Sequence, residues 1–190
     1  LVPANLTVEA WCAVADGSDP KAVLVRKGTE RASYSLGFAP GNHLQWVVQT
    51  ATGMHTVTST QPVPVDAPTH VAGTYDGTTQ RLFVNGEQIA SSESARGPLV
   101  DGGGSLLIGA GSPDATGEEF AGTIDEIRIW AVARAAEVIR DNQNRELGLM
   151  PGLVAVWHFD RSFQADGGRA TTARGEIDYA PELTPLGSTR

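Results

Sequence analysis

Apolar and polar residues alternate along much of this chain with a period of two, the pattern of β-strands that bury one face. In residues 5–14, Val8 and Cys12 fall on one side of the strand, while Glu9 and Trp11 fall on the other. Similar short segments recur about every 8–12 residues, a spacing typical of β-sandwiches and barrels. The predicted strands are residues 5–14, 22–27, 32–39, 43–49, 54–60, 69–75, 80–84, 87–90, 105–109, 120–130 and 153–159.

Turn residues separate these segments and limit the possible folds. Residues 40–42, 76–77 and 85–86 read Pro-Gly-Asn, Asp-Gly and Asn-Gly, which predict tight hairpin turns. Prolines in and beside residues 61–67 predict a loop or an edge strand there, because proline cannot donate a ladder hydrogen bond. Only residues 131–146 follow helical spacing. A parallel α/β sheet needs a helix between strands, so the pattern predicts an all-β sandwich or barrel with one short helix.

Length and composition exclude several classes of protein. The 190 residues form one sizeable domain, which we assign to residues 1–180, with a flexible tail at 181–190. The net charge of −8 disfavours nucleic acid and anionic lipid as partners. No apolar run reaches the length of a membrane span, so membrane insertion is not expected. The single cysteine, Cys12, excludes an intramolecular disulfide and is expected to be a buried strand residue.

Four groups of residues carry a resemblance to a known family. They are LTVEAW at 6–11, THVAGTYDG with RLFVNGEQIA at 69–90, FAGTIDEIRIW at 120–130, and GLVAVWHFD at 152–160. In this order and spacing the chain resembles a laminin-G-like domain of the concanavalin A-like lectin/glucanase superfamily. The resemblance implies an antiparallel two-sheet jelly-roll sandwich, with the helix over an open end or edge and the tryptophans buried. The family has a strand before LTVEAW, and either this strand is missing or a closing strand at 173–179 takes its place.

Catalytic residues are not expected. Glucanases with this fold place their acids at alternate positions of one strand, so that both carboxylates share a face. In residues 120–130 the acids Asp125 and Glu126 are adjacent, and strict alternation sends them to opposite faces. Strict alternation also places Ile124 on the same face of the strand as Glu126. No nucleophile motif or zinc-binding spacing is present, so we expect no enzyme.

Calcium is the cofactor that the sequence favours, as a structural ion. Members of the superfamily hold Ca²⁺ through carboxylates and loop carbonyls, and Ca²⁺ prefers oxygen ligands. The acids of the resembling segments and of the acidic loops are the predicted ligands. They are Asp125, Asp76, Asp101, Asp114 and Glu118. For each one, a turn-forming or solvated acid is the simpler alternative.

A ligand-binding surface is predicted on the segment 43–49. Leu44, Trp46 and Val48 form its apolar side, which we assign to the core. The other side is polar and is predicted to be exposed. Its predicted ligand-binding residues, with the preceding turn, are Asn42, His43, Gln45 and Gln49, and Thr56, Thr58 and Thr60 extend it on the next strand.

These observations favour a non-catalytic binding or adhesion module for a carbohydrate or protein ligand, in a larger extracellular or cell-surface protein, and we expect a bacterial source. A glycan-active enzyme, or the accessory domain of one, is the first alternative. A structural domain in a surface assembly is the second, and a large exposed apolar patch would favour it. Fold alone does not decide among them.

Overall fold

The computed structural model describes residues 1–16, 21–112, 118–160 and 162–166. In these residues the chain forms eleven strands and one helix. In order they are β1 (Leu6–Val14), β2 (Val23–Lys27), β3 (Tyr34–Ala39), β4 (His43–Thr50), β5 (Gly53–Pro62), β6 (Thr69–Tyr75), β7 (Gln80–Val84), β8 (Glu87–Ser92), β9 (Leu106–Ile108), β10 (Gly122–Trp130), α1 (Ala136–Asn142) and β11 (Leu153–Trp157). The predicted closing strand at 173–179 and the tail at 181–190 lie outside the described residues.

The strands form two antiparallel sheets. The six-stranded sheet has the order β11-β10-β1-β6-β7-β8, and the five-stranded sheet has the order β5-β4-β3-β2-β9. Each sheet turns one apolar face toward the other, which confirms the predicted two-sheet jelly-roll sandwich. Strand β5 is an edge strand, and its last residue is Pro62. An edge position suits proline, because proline has no backbone N–H to donate to a neighbouring strand.

Trp46 joins the two sheets at the centre of the core, as predicted. It has no exposed surface, and its indole N–H donates to Thr74 O across the sandwich at 3.1 Å. A Cβ atom at Gly73 would lie 2.5 Å from the Trp46 ring, so glycine is required for this close approach. The amide of Gln80 donates to Trp46 O at 3.1 Å and completes the link.

The other tryptophans are also buried, but they do not all lie between the sheets. Trp11, Trp130 and Trp157 are each 4% exposed. Trp157 belongs to the core between the sheets, whereas Trp130 packs with Leu153 in a separate cluster. The Trp11 indole N–H donates to the carbonyl of Gln143, just after α1, at 2.7 Å. Burial of all four was predicted, but Trp11 and Trp130 occupy the outer face of the six-stranded sheet.

The helix is shorter than the predicted segment 131–146, and it does not lie over an open end or edge of the sandwich. Helical geometry is confined to Ala136–Asn142, and Ile139 is the buried residue of this helix. Ile139 packs on Ala72 and Phe83 of β6 and β7. The helix therefore covers the outer face of the six-stranded sheet, and not an open end or edge. No helix in the described ranges is long and apolar enough to cross a membrane.

A β-bulge corrects the predicted faces of β10. The β1–β10 register shifts, so that Glu9 pairs with Arg128 while Trp11 pairs with Asp125. Glu126 takes up the extra residue with a φ of 48°, in the left-handed region. Paired residues share a face, so Asp125 lies on the outer side with Trp11. The bulge also places Glu126 outside and Ile124 against the core, contrary to strict alternation.

Candidate functional site

The outer face of the five-stranded sheet is the open polar surface of the sandwich. On β4, Leu44, Trp46 and Val48 have no exposed surface, whereas the intervening His43 and Gln45 are only half-buried. The prediction that the apolar side is the core and the polar side faces out is confirmed for residues 43–48, but it is wrong for Gln49, which is buried. We call this surface the open face.

Strand β5 extends the open face. Gln45 pairs with Thr58, and Val47 pairs with Thr56. The Gln45 side-chain amide donates to Thr58 Oγ1 at 3.3 Å, which orients both groups on the surface. Thr60 is exposed but falls within a register shift, so its place in this row differs from the predicted one.

The remaining predicted ligand-binding residues differ in accessibility. Asn42 is half-buried in the β3–β4 turn with a φ of 59°, next to His43. His43 Nδ1 lies 2.9 Å from Ser59 O, which fixes the ring at the end of the row. Gln49 is only 8% exposed, and its amide donates to Thr50 O at 2.9 Å. Gln45 and His43 are therefore the better placed of the four to contact a ligand.

Strands β3 and β2 carry the open face further and add a cation. Ser35 pairs with Val47 on one side and with Arg26 on the other. Arg26 is half-buried, and its Nε donates to Gly28 O at 3.0 Å. Sequence analysis did not select Arg26. Arg26 directly follows the core residue Val25, so alternation would have placed it on the outer face. The β2 segment is short and mostly apolar, and its alternation was therefore not recognised.

The predicted calcium ligand Asp76 is engaged by its own hairpin. Its Oδ2 lies 2.6 Å from Arg81 Nη1, and its Oδ1 accepts from Thr78 and Thr79. Burial acts to raise the pKa of Asp76, but the hydrogen bonds from Arg81, Thr78 and Thr79 outweigh it and hold the pKa well below its usual range. This is a turn-stabilising carboxylate.

Asp101 is likewise held by protein donors. It accepts a hydrogen bond from Gly103 N at 2.9 Å and one from Lys27 Nζ at 3.4 Å. The Gly103 hydrogen bond and the Lys27 ammonium lower the pKa of Asp101. Lys27 also donates to the carbonyls of Gly103 and Gly104, so this contact closes the loop before β9.

Of the other predicted ligands, the structure describes Asp125 and Glu118, and neither belongs to a metal-sized group of described acids. Asp125 is buried, and its Oδ1 accepts from Glu126 N at 2.9 Å. Glu118 is half-buried near Gly111, and Asp114 lies outside the described residues. In the parts of the chain that the structure describes, no three His, Cys, Asp or Glu side chains form a group able to hold a metal. These carboxylates do not fit calcium as a set, and calcium binding stays a prediction.

A charged cluster lies on the opposite side of the molecule, beneath the segment that contains α1. Glu9 is fully buried, and its Oε1 accepts from Trp130 Nε1 at 2.7 Å and from Arg134 Nη1 at 2.8 Å. Arg128 Nη1 lies 3.9 Å from the same oxygen, and the Arg134 guanidinium stacks 3.9 Å from the Trp130 ring. Burial raises the pKa of Glu9, against the lowering effect of the two arginines. We call these four residues the Glu9 cluster.

His70 adjoins the Glu9 cluster as a neutral ring. Burial, with Arg128 and Arg134 nearby, lowers the pKa of His70 to about 3. Its Nε2 lies 3.6 Å from Glu9 Oε2, and its ring packs edge-on to Trp11. These contacts indicate a packing role.

A second set of contacts continues the cluster along β10. Glu126 Oε2 accepts from Arg128 Nη2 at 2.6 Å, and Glu126 Oε1 accepts from His158 Nδ1 at 2.5 Å. His158 Nε2 lies 3.4 Å from Asp166 Oδ2. The hydrogen bond to Glu126 raises the pKa of His158 to about 9. The bulge brings Asp125 and Glu126 to one side, but each carboxylate oxygen of Glu126 already accepts a hydrogen bond from a basic side chain.

Comparison with known proteins agrees with this architecture. The family model of the concanavalin A-like lectin/glucanases superfamily, Laminin_G_3, matches residues 1–140. Over 83 residues the chain is 35% identical to pappalysin-1 of Mus musculus, a match that spans 41% of this chain and 5% of that protein.

Solved structures share the fold. A Bacteroides ovatus protein to which carbohydrate binding is ascribed superposes with a TM-score of 0.73 at 24% identity, over 85% of this chain and 47% of that one. The CBM40 domain of a Ruminococcus gnavus sialidase, solved with α2,3-sialyllactose, gives a TM-score of 0.61 at 17% identity, over 74% and 82% of the two chains. A pentraxin of Limulus polyphemus gives 0.61 at 16% identity, over 88% and 82%.

The chain spans about half of the Bacteroides protein and a small part of pappalysin-1. The two-sheet sandwich and the family match over most of the chain lead to one assignment. The chain belongs to the laminin-G-like family of the concanavalin A-like lectin/glucanase superfamily.

Proposed function

We propose that this chain is a non-catalytic carbohydrate-binding module, part of a larger secreted or cell-surface protein, and that it binds glycans on the open face. The observation that carries the proposal is the row of exposed hydrogen-bonding side chains on β4 and β5, backed by a rigid core. The hydrogen-bonded pair of Gln45 and Thr58 lies at its centre. Sites on rigid strands hold their groups in a defined geometry, which reduces the entropy lost on binding.

The chemistry of the open face suits a sugar. Amide, imidazole and hydroxyl groups both donate and accept hydrogen bonds, as a ring of sugar hydroxyls requires. Val47 and the exposed Met54 add apolar surface for the C–H face of a sugar ring. Two of the similar structures support the same ligand class, because one is ascribed to carbohydrate binding and the other was solved with sialyllactose.

Protein binding is a second candidate, and a specific surface favours it. Val132, Val138 and Met150 are 43%, 44% and 48% exposed, and they line one depression beside Trp130. Exposed apolar surface of this kind often contacts a partner. It lies on the helix side of the molecule, so it is separate from the open face.

A glycan array followed by calorimetry tests the carbohydrate proposal. We expect Gln45→Ala to weaken binding of any glycan hit by about tenfold, because one or two hydrogen bonds are lost. Gln88→Ala is the matched control, since Gln88 is an exposed glutamine on β8 of the other sheet. Equal losses in both variants, or no glycan bound at all, would contradict the proposal. Hydrolysis of a bound glycan by the chain would favour the enzyme alternative.

A further inference from the structure

We propose that the open face is selective for glycans that carry a carboxylate, and that Arg26 binds this group. The inference rests on the proposed function, since it concerns the ligand class of the same surface. It is carried by the position of one guanidinium within a row of uncharged side chains.

Arg26 lies in the row next to the Gln45–Thr58 pair on the open face. It pairs with Ser35 of β3, Ser35 pairs with Val47 of β4, and Val47 pairs with Thr56 of β5. Paired residues share a face, so these side chains form one row across four neighbouring strands. With strands about 4.8 Å apart, the row extends about 14 Å, which is room for a short oligosaccharide. The residue opposite Arg26 on β9 is Leu107.

The guanidinium of Arg26 is oriented but has no carboxylate partner among the described residues. Its Nε is bound to Gly28 O at 3.0 Å, which fixes the plane of the group, and neither η-nitrogen is bound to an acceptor among the described residues. By contrast, Arg81, Arg128 and Arg134 are each bound to a carboxylate of the protein. Arg26 is therefore available to an external anion in a way that these three arginines are not.

A carboxylate is the anion that this arrangement suits. Guanidinium binds carboxylate through two parallel hydrogen bonds, and a held Nε reduces the ordering cost. The neighbouring side chains of the row are hydroxyl and aliphatic groups, which suit the uncharged part of a sugar. Since the whole chain carries a net charge of −8, an anionic ligand needs a local cation to overcome long-range repulsion.

The test uses two matched pairs of probes: α2,3-sialyllactose with lactose, and a glucuronate-terminated disaccharide with its glucose-terminated counterpart. Calorimetry on the full chain should show at least one acidic probe binding about tenfold or more tightly than its neutral partner, as expected for a charge-assisted hydrogen-bond pair. The preference should weaken as salt is added.

Variants assign the preference to Arg26. Arg26→Gln should remove the tenfold preference, so that acidic and neutral probes bind within about twofold of each other, while Arg26→Lys should retain part of it, because lysine keeps the charge but not the planar fork. Arg140→Gln is the control, since it makes the same charge change on the exposed side of α1. Thermal melting of each variant checks that the fold is intact.

The outcomes separate the two proposals. Equal affinity for acidic and neutral probes, with binding still weakened by Gln45→Ala, would overturn the carboxylate inference and leave glycan binding in place. An acidic preference that survives Arg26→Gln would overturn the role of Arg26. Absence of binding to all four probes, and to a broad glycan array, would reject both proposals.

Discussion

The outer faces of the two sheets use polar residues in opposite ways. On the six-stranded sheet, ionisable side chains lie under the α1 segment and contact each other, and Glu9 is fully buried with two arginines around it. On the five-stranded sheet, the described open face is formed largely by neutral side chains such as Gln45 and Thr58, which remain accessible. The first arrangement holds a segment of the chain in place, and the second leaves hydrogen-bonding groups available to a ligand.

This difference shows why buried, mutually paired charges are a poor guide to the functional site of this protein. Buried ions that satisfy each other are costly to separate, so they report on structure. Half-exposed neutral groups contribute little to folding and can exchange water for a ligand at low cost. Substitutions on the two faces should therefore affect different measurements.

The largest expected effect is on stability, from Glu9→Leu. Leucine has a similar volume but no acceptor, so Arg134, Arg128 and Trp130 lose their shared partner in a buried site. We expect the free energy of unfolding to fall by about 3–5 kcal/mol, measured by urea denaturation. Gln45→Leu on the open face is the matched control and should change it by less than about 1 kcal/mol. Similar losses in both variants would contradict the comparison.

The next effect concerns the helix. Ile139 is fully buried against Ala72 and Phe83, and its truncation leaves a cavity under α1. Ile139→Ala should lower the free energy of unfolding by about 2–3 kcal/mol. Val138→Ala, at a position that is 44% exposed, should have a much smaller effect. Hydrogen exchange should also speed up in residues 136–142 of the Ile139 variant, and unchanged exchange there would contradict the role given to Ile139.

A smaller effect is expected on the pH dependence of stability. The pKa of His158 is raised to about 9 by its hydrogen bond to Glu126, above the ordinary value of 6.5. A raised folded-state pKa stabilises fully below pH 6.5, and this contribution is lost as the pH rises through about 9. Unfolding free energies measured from pH 6 to 10 should decline in this window. His158→Gln should flatten the decline, and an identical profile would contradict the pairing with Glu126.

The smallest effect is expected for calcium. Because Asp76 and Asp101 are held by Arg81 and Lys27, these acids should not contribute to a tight site. We expect thermal melting midpoints in Ca²⁺ and in EDTA to agree closely. A midpoint raised by Ca²⁺ and restored by EDTA would show a native-state metal site and would confirm the sequence-based prediction of calcium.

Much of the fold was predictable from residues close together in the chain. The Asn85-Gly86 turn and the alternation around Trp46 each carry local signals, and both features form as expected. The prediction for β10 was wrong for Ile124 and Asp125, because a bulge depends on the register with β1 and not on the β10 pattern. The helix was placed wrongly for a similar reason, since the surface that Ile139 covers is built from β6 and β7.

The sequence by itself determined the strands, the inward faces of most of them and the fold class, because side-chain alternation and turn preferences act over a few residues. Only the tertiary structure decided which outer face is covered, which acids are neutralised by basic partners, and that Arg26 lies in line with Ser35 and Val47. These features depend on contacts between strands far apart in sequence, and strand register and segment packing appear only when the chain is folded.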